Sequence, residues 1–92
     1  MISGTVQSSI VTLSFGSNHG DRMRNVAAAI GWFQTVATGC RVSSIYETPD
    51  VTGHGAPYMN AVASGCTELD YCALNRLAKD FEVEYGRDAD CR

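Results

Sequence analysis

Between Ser9 and Phe15 the chain reads SIVTLSF and its side chains alternate, with Val11, Leu13 and Phe15 on one face and Ile10, Thr12 and Ser14 on the other. A period of two carried by β-branched and aromatic residues predicts a strand with one face turned toward a core. From Arg22 to Thr38 the period changes. Met23, Val26, Ala27, Ile30, Phe33 and Ala37 recur at intervals of three and four, the apolar stripe of a helix packed on one side. Asp21 is placed to cap that helix after the turn Gly16-Ser17-Asn18-His19-Gly20-Asp21, and Gly39 stands where a stop is expected.

Alternation returns from Cys40 to Thr48, setting Val42, Ser44 and Tyr46 against Ser43, Ile45 and Glu47, until Pro49 removes a backbone donor and ends the strand. A loop punctuated by Pro49, Gly53, Gly55 and Pro57 leads to a third strand, Tyr58 to Cys66, with Asn60, Val62 and Ser64 opposite Met59, Ala61 and Ala63. Asp70 caps a second helix whose apolar face is Leu74, Leu77, Ala78, Phe81 and Tyr85, and Gly86 reads as its C′ residue. Met1 to Ser8 carries little pattern and is expected to be a frayed leader.

The predicted order is β-α-β-β-α. It gives an α+β fold of the split β-α-β kind, an antiparallel sheet with both helices on one face, and the 92 residues make one domain. In the four-stranded form of this arrangement the last strand lies beside the first. No such strand is expected after the second helix, so the last strand is missing from the pattern. The strand ending at Phe15 is then left with an open edge, available for strand pairing or dimerisation.

Composition narrows the function classes. A net charge of −3 argues against nonspecific binding to nucleic acid or anionic membranes, both of which need a basic surface. Seven of the ten acidic residues lie from Glu68 to Asp90, the pattern of a solvated helix face. Cys40, Cys66, Cys72 and Cys91 have no two-residue spacing and no neighbouring histidine, which disfavours structural zinc. Met1 to Gln7 lacks the marks of a secretory leader, and no apolar run approaches the roughly 18 residues of a membrane span. The expectation is a cytoplasmic protein with reduced thiols.

Candidate chemistry gathers at loops. The Gly16–Asp21 turn has two readings: a plain strand-to-helix connection, or a helix N-terminus offering N–H groups to an anion, without the Lys-Ser/Thr of a P-loop. Tyr58 and Asn60, two apart on one strand, share a face where a ring can lie flat on a planar heterocycle while the carboxamide pairs with its polar edge. Asparagine is depleted in strand interiors, so Asn60 needs a specific partner there. His19 and His54 sit in glycine-rich loops, either solvated or reaching a phosphate. Asp88 and Asp90 have the spacing to clamp a divalent cation but no strand pattern to hold them. No Ser/His/Asp or Cys/His arrangement is supported, and the catalytic residues are unassigned.

Four blocks, Leu13-Ser14-Phe15-Gly16-Ser17-Asn18, Val42-Ser43-Ser44-Ile45-Tyr46-Glu47-Thr48-Pro49, Pro57-Tyr58-Met59-Asn60-Ala61-Val62 and Glu82 through Gly86-Arg87, together resemble the 6-hydroxymethyl-7,8-dihydropterin pyrophosphokinase family of folate biosynthesis. The resemblance implies a ferredoxin-like α+β fold and transfer of pyrophosphate from ATP to the hydroxymethyl group of a reduced pterin, with Mg2+ on the triphosphate. By position it implies that Thr48, Pro49 and Val51 line a pterin pocket, that Tyr58 stacks on the pterin, and that Asn60 reads its amide edge. Glu82 and Arg87 correspond to nucleotide-side residues. The family continues into an arginine-rich loop and an Asp-x-Asp strand that holds the metal. Asp88 and Asp90 precede that place, Ala89 stands where a second arginine is expected, and Gly53-His54-Gly55 replaces a polar glutamine. The 92 residues alone are therefore expected to be inactive or nearly so. Two other classes stay open: a non-catalytic pterin- or nucleotide-binding module, and a ferredoxin-like interaction domain.

Overall fold

The computed structural model describes residues 2–7, 9–53 and 55–90, leaving aside the side chains of residues 5–7 and 87–90. In chain order the elements are β1 (Ile2–Gln7), β2 (Ile10–Ser17), α1 (Arg22–Val36), β3 (Thr38–Val42), β4 (Tyr46–Thr48), β5 (Tyr58–Cys66) and α2 (Tyr71–Asp90). The strands form an antiparallel sheet in the order β1-β2-β5-β3, with β4 also paired to β5. β5 thus inserts between β2 and β3, the two strands that α1 connects, which is the split β-α-β arrangement. The α+β expectation holds.

Both helices cover one face. Val11, Leu13 and Phe15 of β2 and Ala61 and Ala63 of β5 meet Val26, Ala29 and Phe33 of α1 and Leu74 of α2 in a single core. Small residues on β5 let α1 lie close to the sheet, and Phe33, fully buried, tilts against Phe15 with ring centroids 6.1 Å apart. The helices are joined by a ladder of rings: Trp32 of α1 stacks on Phe81 of α2 at 5.6 Å, and Phe81 on Tyr85 at 5.7 Å. Both predicted caps form. Asp21 accepts a hydrogen bond from the Arg24 amide at 3.1 Å, and Asp70 from the Ala73 amide at 2.8 Å.

Five expectations are corrected. First, Ile2–Gln7 is not a frayed leader: it is strand β1, in register with β2 from Ile2 opposite Phe15 to Gln7 opposite Ile10. Second, β2 therefore has neighbours on both sides, and the open edge of the sheet passes to β1. A glycine in the middle of β1 hid the strand from pattern reading, and the structure gives that glycine a reason. A Cβ at Gly4 would run into the Thr12 carbonyl oxygen and the Leu13 side chain. Third, the single strand expected from Cys40 to Thr48 is two, β3 ending at Val42 opposite Ala63 and β4 starting at Tyr46 opposite Asn60; β3 also begins earlier, at Thr38, and carries its own register shift between Thr38 and Arg41, where Gly39 adopts a left-handed φ of 60°. In the break after β3, Ser43 substitutes its hydroxyl for a strand carbonyl, accepting from the Val62 amide at 2.9 Å, while its own amide donates to the Val62 carbonyl at 2.8 Å. Gly39 accordingly belongs to the bulge, and α1 ends earlier, at Val36.

Fourth, Gly86 does not stop α2, which continues to Asp90; a helix-ending glycine adopts positive φ, and Gly86 is not among those that do. Fifth, the buried stripe of α1 is rotated from the predicted one: Ala29 is buried while Met23 and Ala27 are exposed. On α2, likewise, Leu74 and Ala78 are buried but Leu77 is exposed. Cys40, Cys66 and Cys72 form no disulfide, and Cys91 lies outside the described residues.

Two glycines separate these effects experimentally. Gly4→Ala is expected to cost about 1–3 kcal/mol in urea unfolding, by forcing β1 away from β2. Gly31, on the exposed side of α1, has nothing within 4 Å of an added Cβ, so Gly31→Ala is expected to stabilise by about 0.5–1 kcal/mol. Equal effects from the two would contradict the close packing at Gly4.

Candidate functional site

The face of the sheet away from the helices carries the second half of every alternation. On β5, Met59, Ala61, Ala63 and Gly65 point toward the core, which turns Tyr58, Asn60, Val62 and Ser64 outward. Pairing then decides their company. β4 sets Thr48 opposite Tyr58 and Tyr46 opposite Asn60, while on the other side β2 sets Gly16 opposite Asn60. Residues opposite one another in a ladder share a face, so these five positions form one patch.

Within the patch the Asn60 carboxamide finds the partner that its strand position requires. Its Nδ2 donates to the Thr48 hydroxyl at 2.7 Å and lies 3.5 Å from the Tyr58 carbonyl oxygen. Its Oδ1 lies over Gly16, where a Cβ would sit 3.1 Å away and also 3.6 Å from the Tyr58 ring. The missing side chain at Gly16 leaves its place to Asn60 Oδ1 and the edge of the Tyr58 ring, and this backbone floor, with a half-buried ring, a hydroxyl and an oriented amide around it, forms a bay. Such a bay suits a flat heterocycle with a polar edge. Thr48, Tyr58 and Asn60, three of the residues singled out from sequence, are brought together here.

Three supports hold the bay, and sequence reading missed all of them. Arg22, at the start of α1, donates from Nη1 to the Pro57 carbonyl at 2.6 Å and to Glu47 at 3.1 Å, tying β4 and the entry to β5 onto the helix. The ion pair is largely solvated and worth little; the carbonyl bond fixes position. β2 runs two residues past the expected end at Phe15, to Ser17, so the turn into α1 is shorter than the expected Gly16–Asp21; it is braced by Asn25, whose Nδ2 donates to the Ser17 hydroxyl at 2.9 Å and to the His19 carbonyl at 3.0 Å. Ser17 is buried, so the polar residue after Gly16 serves the turn itself. A signal was present: Asn25 falls one turn into α1, on the side facing back toward Ser17.

The third support is Asp50. Its Oδ1 accepts from the Thr52 amide and the Thr52 hydroxyl, both at 2.9 Å, and its carbonyl accepts from the Gly53 amide at 3.0 Å. The Thr52 amide first, then its hydroxyl and the Gly55 amide, hold the Asp50 carboxyl below its ordinary value, outweighing a small opposing effect of burial. Pro49 and Val51 flank this turn. Val51 is fully exposed and does not touch the bay in this arrangement.

Glu82 lies elsewhere. It borders a cavity of about 700 Å³ on the helix side of the sheet, between Phe15, Asn25, Phe81 and Tyr85, with Gly16 as the wall common to cavity and bay. The side chains of Arg87, Asp88 and Asp90, and the whole of His54, lie outside the described residues. Among the described residues no group of three or more His, Cys, Asp or Glu side chains could hold a metal ion.

The family model described as 7,8-dihydro-6-hydroxymethylpterin-pyrophosphokinase matches residues 12–92, a span that contains the whole bay and its supports. No curated protein and no solved structure matches the chain.

The Asp50 turn makes a pH prediction. A carboxyl whose folded pKa lies below its unfolded value contributes order above the unfolded value and loses that contribution as pH falls through the depressed folded one. The Thr52 and Gly55 amide resonances are therefore expected to titrate with a midpoint below the ordinary 3.8. Thr52→Val, which removes one of the donors, should raise that midpoint. A midpoint at or above the ordinary value would show that the carboxylate is not held by these donors.

Proposed function

The chain belongs to the 7,8-dihydro-6-hydroxymethylpterin-pyrophosphokinase family, and from that premise we propose that the bay of Gly16, Thr48, Tyr58 and Asn60 is where it holds the pterin. The family's reaction is pyrophosphoryl transfer in folate biosynthesis. One observation carries the assignment: the Asn60 carboxamide, an unfavourable residue in a strand, is oriented by Thr48 across the ladder directly above a glycine floor. A pterin is flat, with a ring amide on one edge. Its edge pairs with the carboxamide and its face with the Tyr58 ring, while the absence of a Cβ at Gly16 gives the rings room. Pro49 and Val51 are assigned to the loop side of the pterin site by their place in the family's motif alone, since Val51 stands clear of the bay.

ATP is proposed as the donor, the hydroxymethyl oxygen taking its terminal pyrophosphoryl group and the nucleoside monophosphate leaving. Glu82 and Arg87 are proposed as nucleotide-side residues from their place in the family's motif. That Gly16 lines the helix-side cavity bordered by Glu82 supports putting the nucleotide near the same end of β2 in this reading. Mg2+ belongs to the proposal through the family alone. The described residues supply no cluster to hold it, so no step is routed through the ion. What these side chains contribute is binding and orientation, which by themselves account for a large share of the rate of a group transfer. A cytoplasmic location is part of the same proposal; no helix among the described residues is long and apolar enough to cross a membrane.

Calorimetric titration of 6-hydroxymethyl-7,8-dihydropterin tests the assignment. Tyr58→Ala and Asn60→Ala are each expected to weaken binding about tenfold or more, corresponding to about 1–3 kcal/mol of stacking or hydrogen bonding. Thr48→Val keeps the side-chain shape, loses the acceptor, and should weaken binding less. Pterin binding that survives both alanine substitutions unchanged would remove the bay from consideration.

A further inference from the structure

The β4–β5 loop is fastened at both ends of one glycine. Asp50 spends Oδ1 on the two Thr52 donors, and its Oδ2 occupies the space that a side chain at Gly55 would need. The Asn18 side-chain Nδ2 also comes within 3.3 Å of the place that this Cβ would take. Asn18 belongs to the turn braced by Asn25, the turn that follows β2 and begins two residues after Gly16. The loop therefore comes up against the turn that leaves the strand end flooring the bay, with Gly55 as the point of contact.

We infer that Asp50 is a positioning residue for pterin binding, pinning the β4–β5 loop through Gly55 against the Asn18 turn so that the bay keeps one shape. The inference rests on the pterin reading of the bay. Asp50 does not touch the bay itself: it acts through Thr52 and Gly55. Three features of this sequence make the arrangement specific. Thr52 supplies both an amide and a hydroxyl to one carboxylate oxygen, Gly53 takes the left-handed φ of 73° that lets the turn close, and Gly55 admits the second carboxylate oxygen. An ordered loop before binding removes part of the entropy lost when a ligand is clamped.

The test uses Asp50→Ala, Asp50→Asn and Gly55→Ala in the full chain, with two readouts. Amide spectra and hydrogen exchange of Thr52, Gly53 and Gly55 without ligand report the loop; titration of 6-hydroxymethyl-7,8-dihydropterin reports recognition. Asp50→Ala and Gly55→Ala are expected to speed loop exchange and weaken pterin binding about tenfold, with the thermal midpoint of unfolding unchanged. Asp50→Asn retains an oxygen acceptor for Thr52 but turns an N–H donor toward Gly55, and should fall between wild type and Asp50→Ala in both readouts. If Asp50→Ala leaves loop exchange as it is, the pinning is wrong. If the loop loosens while affinity stays, the loop is pinned without bearing on recognition and the inference falls. Wild-type protein that binds no pterin, or binds it regardless of Tyr58→Ala, overturns the pterin reading, and with it the inference, in a way that the first readout keeps distinct.

Discussion

The ladder between β2 and β5 runs without interruption from Ile10 opposite Cys66 to Ser17 opposite Met59, and the core and the bay both hang on its register. Phe15 opposite Ala61 puts a large ring beside the smallest partner available, which lets Phe33 descend onto both. One residue further, Gly16 opposite Asn60 does the reverse on the other face, placing no side chain beside a polar one. A slip of one residue would turn every side chain of β2 to the wrong face. Burial of Val11, Leu13 and Phe15 fixes the register strongly, and the bay inherits that rigidity without contributing to it.

That inheritance explains why so few hydrogen bonds are needed around Asn60. The strands already hold Thr48, Tyr58 and Asn60 to within the tolerance of a ladder, and elements hold such constellations more tightly than loops do. The supports act instead on the pieces that are not strand: Arg22 on Pro57, Asn25 on the turn after Gly16, Asp50 on the loop after Pro49. Each is a charged or amide side chain bonded to a backbone group or a hydroxyl. Asn25 and Asp50 act on segments close to them in sequence, whereas Arg22 reaches across 35 residues to Pro57, and all three act on the bay's rim.

Local features of the chain were legible and long-range pairings were not. Alternation in SIVTLSF and YMNAVASGC, the caps at Asp21 and Asp70, and the shared face of Tyr58 and Asn60 depend on residues near in sequence, and the structure keeps all of them. β1 was invisible because its central Gly4 lowers strand propensity, and because the β2 backbone that requires it is a long-range fact of packing. The break at Ser43 was invisible for a related reason: a serine hydroxyl replacing a carbonyl leaves no trace in a period of two. The rotation of the α1 stripe from Ala27 to Ala29 reflects how a helix seats on the small residues of β5, which α1 does not itself encode. Of the candidate residues, Thr48, Tyr58 and Asn60 came together because one ladder links them, whereas Val51 and Glu82 were grouped with them by motif order and stand apart in space.

Selectivity follows from the same geometry. With Nδ2 of Asn60 set between the Thr48 hydroxyl and the Tyr58 carbonyl, which can only accept, the carboxamide keeps its donor end toward them and Oδ1 over Gly16. A planar ligand lying on that floor must therefore bring a donor to Oδ1. One that brings an acceptor instead leaves two oxygens facing each other in a partly desolvated bay, a larger loss than the absence of a favourable contact. The Tyr58 carbonyl thereby sets which way the amide reads, while Thr48, whose hydroxyl can serve either end of an amide, orders it. Under the proposed pterin assignment, a hydroxyl two residues before Asp50 orders the reading group and the loop that follows it shapes the rim, so recognition draws on a short segment set on a scaffold built by the rest of the chain.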